Sequence, residues 1–265
     1  MTSPIDSSSA DQFSSGDEPD IYAPEFVKGV FDRCSGKYIA FSNILSFGFT
    51  ERWRRQCVEQ LEFKGAPPAE GYDIMSGTGE AWPHLLRRFP TVAAITAVDI
   101  SSGMHRRAMD RLHRRRTHVV KFIEDDVLKS TLPNSSADFI VSTFGLKTFN
   151  SDQHRRLAKL VSRVLRPGGS FSFIEASDAR GWVFGPVYRM YLGTVLPVVE
   201  RVLLRGAQDF AMIGQYTRNF GDASKFAEML RDEGMEPRYQ QYFFGCASGV
   251  SGQKPFEFAQ SGAPN

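Results

Sequence analysis

The chain has 265 residues, 42% of them apolar and 23% charged, with a formal net charge of +2. That length suits one large core, and the near balance of charge removes any global attraction toward nucleic acid or membrane. Cys34, Cys57 and Cys246 are far apart and form no Cys-x-x-Cys, so they read as reduced thiols of a cytoplasmic protein, not as a disulfide frame or a zinc site.

Residues 1–22, which include "MTSPIDSSSADQFSSGDEPD", predict a disordered tail. The tail lacks the basic and apolar regions of a secretory signal, and its acidity argues against a transit peptide. A single domain is expected over residues 23–255, with a flexible tail over 256–265. Pro24–Cys34 and Thr50–Glu62 predict short amphipathic helices, the second with Trp53, Cys57 and Leu61 spaced by four. After the loop "KGAPPAEG" the chain alternates. Strands are predicted at Tyr72–Met75, Val92–Asp99, Val119–Ile123, Asp138–Thr143 and Ser170–Glu175. Helices are predicted at Ala81–Phe89, from Ser101, and at Asp152–Leu165, the last stopped by "RPGG" as an exit turn.

Val183–Leu204 is apolar enough to raise the question of a bilayer span. Arg189, Glu200 and Arg201 would be costly there, and Pro186 and Pro197 interrupt it. It reads instead as a helical cap, an insert over about residues 181–206, whose Trp182, Phe184, Tyr188 and Tyr191 suit either a flat apolar acceptor or ordinary burial. A helix at Ala223–Glu233 and a strand at Tyr239–Phe244 follow. The alternation predicts an α/β fold with a mostly parallel sheet and helices on both faces.

In such a sheet ligands bind beyond the carboxyl ends of the strands, where "DIMSGTGE" falls. Gly77 and Gly79 allow close backbone approach, and the helix that follows offers free N–H groups. Asp99, twenty residues beyond Gly79, can accept both hydroxyls of a ribose, and Asp126 lies within reach of a base. A nucleoside ligand fits. The dinucleotide fingerprint wants a third glycine where this chain has Trp82, so the pattern points to S-adenosylmethionine, with Asp73 placed to orient groups around its cationic end.

With "VDISSGM", "DFIVSTFGLKTF" and "RVLRPGGSFSFIE", these residues resemble the ubiquinone/menaquinone biosynthesis C-methyltransferase family of class I methyltransferases. "VFDRCSGKYIAFSNILSFGFTERWRR" resembles its N-terminal motif, and "IGQYTRNFGDASKFAEMLRDEGMEP" its C-terminal helix region. The resemblance implies a Rossmann-like, seven-stranded, mostly parallel sheet with N-terminal helices and a cap. It implies that Thr78, Asp99, Asp126, Val127 and Thr143 line the S-adenosylmethionine site, and that Asp73, Gly77 and Gly79 shape its loop. Tyr38 is followed by Ile39 where the family has aspartate, and "FGL" by Lys147 and Thr148 where it has arginine and asparagine. These departures fall on the acceptor side.

Carbon methylation needs an electron-rich carbon beside an ionised oxygen. Lys147 is the candidate to stabilise that oxygen, or else a solvated lysine; Tyr38 is a candidate polar contact, or else core packing. Glu175 and Asp178 are reserve bases. The expected acceptor is a small lipophilic molecule, foremost a quinone-precursor ring; O- or N-methylation, or cofactor binding without catalysis, stays open. The arginine-rich Met104–His118 lacks aromatic interleaving, so no nucleic acid is expected. It reads as a solvated face or as a weak contact with a membrane surface. The five histidines show no ligand spacing, and no metal is expected.

Overall fold

The computed structural model describes residues 20–36, 46, 48–115, 118–179, 182–195, 198 and 210–256. Helices α1 (Pro24–Cys34) and α2 (Phe49–Glu59) precede the sheet. Strand β1 (Glu70–Ile74) leads to α3 (Trp82–Arg88), β2 (Ala94–Asp99) to α4 (Ser102–Arg115), and β3 (Val120–Glu124) to β4 (Ala137–Thr143). Next come α5 (Ser151–Val164), β5 (Leu165–Ala176), α6 (Gly185–Met190), α7 (Phe210–Phe220), α8 (Ser224–Asp232), β6 (Glu236–Tyr242) and β7 (Ala247–Gln253). The seven strands are ordered β3-β2-β1-β4-β5-β7-β6. β1 to β5 run parallel, and β7 lies antiparallel between β5 and β6. This is the doubly wound arrangement expected from the alternation.

Successive residues of the central strands serve opposite faces, as the pleat requires. Phe139 and Val141 pack with Trp53, Trp82 and Leu85 on the α2–α3–α4 side. Ile140 packs with Leu157, Val161, Phe226 and Leu230 on the α5–α8 side. Cys57 and Cys246 are buried free thiols.

Two details depart from the sequence-based expectation. "RPGG" is not an exit turn outside the sheet. β5 runs through it, with a register shift against β4 and Gly168 in the left-handed region, so the glycines make a bulge. The predicted strand to Phe244 ends at Tyr242, and "ASGVSGQ" forms a buried central strand. Its small residues hide it from an apolar-pattern reading. They are required because a Cβ at Gly252 would lie 2.0 Å from the Glu236 carbonyl oxygen across the pair.

Gly79 shows how the sheet edge is built. Its φ is +74°, and a Cβ there would sit 2.3 Å from the Trp82 ring. Gly79→Ala is therefore expected to cost about 2–3 kcal/mol through backbone strain and overpacking, read as a lowered urea midpoint at unchanged slope.

Candidate functional site

The site is assembled where β1, β2 and β4 end. The chain leaves β1 through Met75 and β4 through Phe144, both non-glycine residues with left-handed φ values of 52° and 67°. Such strain gathers where surrounding structure fixes the backbone for a purpose. Ser76 N–H donates to the Val98 carbonyl at 3.1 Å and anchors the glycine turn to β2. Gly77 has φ +56°, and a Cβ built on it meets nothing within 4 Å, so the turn lies open above that residue.

Trp82, at the position of the absent third glycine, covers Gly79 and donates its indole N–H to Asp73 Oδ2 at 2.8 Å. Burial pushes the Asp73 carboxyl well above its usual range, and its Oδ1 has no hydrogen-bond partner. Thr78 is turned inward. Its hydroxyl donates to Glu80, which pairs with Arg111 at 2.8 Å, while Arg111 also donates to the Thr78 carbonyl. One arginine of the basic run is thus a structural ion-pair partner, although its side chain remains 31% exposed.

Asp99 ends β2 with both carboxylate oxygens on backbone donors. Gly77 N–H donates to Oδ2 at 2.7 Å and Ser101 N–H to Oδ1 at 2.9 Å. Burial pushes its pKa up to about 6, with these two bonds pulling the other way. Asp99 lines an open cavity together with Gly77, Asp126, Val127 and Thr143. Five of the predicted residues therefore share one wall. Asp73, Thr78 and Gly79 stand behind it, holding the turn. Tyr38 and Ile39 lie outside the described residues.

Sequence reasoning missed the opposite wall. Val27 and Phe31 of α1 close over the cavity, with Tyr22 just before them. Their four-residue spacing was legible, but nothing in the sequence distinguished a face toward the sheet from a face toward a ligand. Gln153 accepts the N–H of Asn150, the N-cap of α5, and donates to the Tyr22 carbonyl at 3.0 Å, fixing the approach to α1. Arg54 also lines the cavity, one position beside the Trp53 stripe that marks α2 as amphipathic. The wall holds four carboxylates, from Glu80, Asp99, Asp125 and Asp126, against one cation, Arg54, among the described residues. Such a donor set suits a sugar and a cationic group and would repel a pyrophosphate.

The cap aromatics do not line this cavity. Trp182 stacks on Phe244 at 5.3 Å and meets Phe184 and Phe243 edge-on, a cluster at the surface. Among the described residues no helix is long and apolar enough to cross a membrane.

Lys147 is neither solvated nor a cavity cation. It is 3% exposed, and its Nζ donates to Glu175 Oε1 at 2.7 Å and to the Phe144 carbonyl at 2.9 Å. Glu175 also accepts the backbone N–H groups of Lys147 and Ala176, so this reserve base is fully engaged. Asp178 lies 4.0 Å from Arg189. Removing one partner of a buried pair strands the other charge. Lys147→Met should therefore lose about 3–5 kcal/mol of stability, and Lys147→Met with Glu175→Met should recover much of it. Denaturant titration of the three proteins checks this. A loss under about 0.5 kcal/mol in the single variant would be the signature of a surface lysine.

The model of the ubiE/COQ5 methyltransferase family matches residues 20–254. A demethylmenaquinone methyltransferase of Staphylococcus saprophyticus is 26% identical over 213 residues, 79% of this chain and 88% of that one. One from Deinococcus radiodurans is 28% identical over 228 residues, 86% and 92% of the two chains. Among solved structures, an O-methyltransferase family protein from Burkholderia thailandensis superposes with a TM-score of 0.63 at 16% identity, over 91% of this chain and 65% of its own. That likeness concerns the fold. With the family model spanning nearly all the described residues, the chain belongs to the ubiE/COQ5 methyltransferase family and is an S-adenosylmethionine-dependent methyltransferase.

Proposed function

We propose that the enzyme methylates a ring carbon of a small lipophilic quinone precursor, with the cofactor held at the Asp99 wall. One observation carries the cofactor side of this reading: Asp99, pinned by Gly77 and Ser101 N–H groups, shares a cavity with Asp126, Val127 and Thr143. A carboxylate so oriented would accept the ribose hydroxyls, Asp126 and Val127 would meet the adenine, and Thr143 would face the methionine end. Asp73, Gly77, Thr78 and Gly79 would keep the turn in shape. The open space over Gly77 leaves room for a ligand at this edge.

S-adenosylmethionine supplies an electrophilic methyl group. The residues of this chain supply position and dryness: α1 closes one side with Val27 and Phe31, while Met75, Phe144 and Phe149 give an apolar surface beside the strand ends. Holding two reactants in line can itself provide a large part of the rate. The names of the Staphylococcus and Deinococcus relatives favour a demethylmenaquinone-like acceptor. Lys147, which the sequence suggested for the ionised ring oxygen, is occupied by Glu175, so that charge would have to be met by another group.

A lipid-like acceptor would be met at a membrane surface. The exposed Val183, Phe184, Val187, Met190, Phe243 and Phe244 form an apolar rim, and Phe243 and Phe244 have left-handed φ values of 46° and 56°. Weak peripheral contact follows from this rim. The expected result is partial sedimentation with anionic vesicles at low salt, reduced in Phe244→Asp; no sedimentation of the wild type would remove this part of the reading.

The cofactor assignment is tested by calorimetric titration of S-adenosylmethionine into the wild type and Asp99→Ala, both shown to be folded. Saturable binding by the wild type, weakened at least about 100-fold in the variant, is expected from the loss of charge-assisted hydrogen bonds. Because the Asp99 pKa lies at about 6, the carboxylate is charged above that pH and neutral below it. Wild-type affinity should hold at pH 7–8 and fall as pH drops through about 6. A flat profile would show that Asp99 stays ionised below pH 6 or does not hold the ligand, and the Asp99→Ala titration separates the two.

A further inference from the structure

α1 forms one wall of the ligand cavity, and its two ends are fastened in different ways. Toward its C-terminal end, the Asp32 carboxylate accepts from the Ser101 hydroxyl at 2.6 Å and from Gly103 N–H at 2.9 Å. Lys28 adds a bond to the Ile100 carbonyl at 3.1 Å. Each of these has a charged partner, and such bonds are roughly twice as strong as neutral ones. The N-terminal end has no side-chain cap. It is held through the strap of residues 20–23 that leads into it. Tyr216 of α7, 0% exposed, donates its hydroxyl to the Ile21 carbonyl. Asn219, one turn further along α7, donates to the Tyr22 hydroxyl at 3.1 Å, and Gln153 of α5 donates to the Tyr22 carbonyl at 3.0 Å. The Tyr22 ring, 5.8 Å from that of Tyr216, lines the cavity beside Pro24 and Gln153.

The bonds from Tyr216, Asn219 and Gln153 are neutral, and that between Asn219 and Tyr22 is exposed. They span 195, 197 and 131 residues, so losing them frees the strap without unwinding the helices that supply the donors. Packing does not require the Tyr216 hydroxyl. A phenylalanine would fill the same buried space, and the oxygen adds the bond to Ile21. Burial pushes that phenol up to about 12, so it stays a donor at ordinary pH. A molecule held by Asp99 lies beneath Val27 and Phe31, and its entry or exit requires one end of α1 to move aside. The Asp32 end is tied to Ser101, whose N–H also holds Asp99, so moving that end would disturb the site itself. The strap end is free of that penalty, and segments that open are drawn from the weakly held parts of a fold.

We propose that residues 20–23 form a latch over the ligand cavity, held shut by Tyr216 and Asn219, which opens by swinging the N-terminal end of α1 outward while Asp32 stays in place. This rests on the reading that S-adenosylmethionine is held at the Asp99 wall. Opening of this kind sets the rates of ligand entry and release more than the affinity.

The test uses the full chain as wild type, Tyr216→Phe, Asn219→Ala and the double variant. Hydrogen exchange of the free proteins reads the latch directly, because Ala23 N–H donates to the Asp20 carbonyl and Val27 N–H to the Ala23 carbonyl. In the double variant both amides are expected to exchange about 5- to 20-fold faster, while Gly103 N–H, held by Asp32, exchanges as in the wild type. Surface plasmon resonance with S-adenosylmethionine then reads the consequence. Association and dissociation rates should rise together by a similar factor, leaving Kd within about 3-fold of the wild type. The proposal is overturned if exchange at Ala23 and Val27 is unchanged in the double variant. It is equally overturned if dissociation alone accelerates, which would mark the strap as a fixed wall. Asn219→Ala, at the surface, carries the test should Tyr216→Phe not fold. A wild type that binds no S-adenosylmethionine would count against the cofactor site, and the exchange measurement would still decide whether the latch opens.

Discussion

The carboxylate of Asp99 ties the glycine turn after β1 to the end of β2 and the start of α4. Its two oxygens accept from the glycine turn after β1 and from the start of α4, so the ends of β1 and β2 are set relative to each other by one side chain. The chain around it continues the linkage. Asp32 of α1 accepts from the Ser101 hydroxyl at 2.6 Å and from Gly103 N–H at 2.9 Å. Burial alone would raise the Asp32 carboxyl, but these bonds and Lys28 hold it below its ordinary value. α1 is therefore fastened to the same corner, and with it Val27 and Phe31 above the cavity. Much of the geometry of the site follows from satisfying buried acids with backbone donors.

This corner also explains why the glycines stand where they do. Gly77 must adopt a left-handed conformation to aim its N–H at Asp99, and Gly79 must do so while leaving room for Trp82. Trp82 in turn satisfies one oxygen of Asp73. The bulky residue at the expected third glycine is a structural element of the turn, and the turn it makes differs from a pyrophosphate cradle for that reason.

How much of this was legible depended on whether a residue's role was local. The alternation of strands and helices, the glycine turn and the strand-end position of Asp99 are carried by short patterns, and the cavity wall of Gly77, Asp99, Asp126, Val127 and Thr143 is made of them. β7 was hidden because its glycines and serines are chosen by clearance between neighbouring strands, not by apolar periodicity. Thr78 and Lys147 sit at informative positions, yet their side chains turn inward to Glu80 and Glu175, partners 2 and 28 residues away. Side-chain direction at a strand end is decided by such partners, and no spacing rule contains it. Arg54 was invisible for the complementary reason. On a helix rich in arginine, only the tertiary fold shows which one is buried.

The fates of Lys147 and Arg54 can be read together as a matter of charge placement. A lysine is a compact charge that a buried carboxylate can neutralise, and Lys147 with Glu175 does this between β5 and the turn after β4. That pair contributes order to the strand end and is unavailable to a ligand. Arg54 is met less closely: its Nη1 lies 3.8 Å from Glu51 Oε2, while its Nε and one oxygen of Asp73 have no hydrogen-bond partner. Each lowers the stability of the free protein.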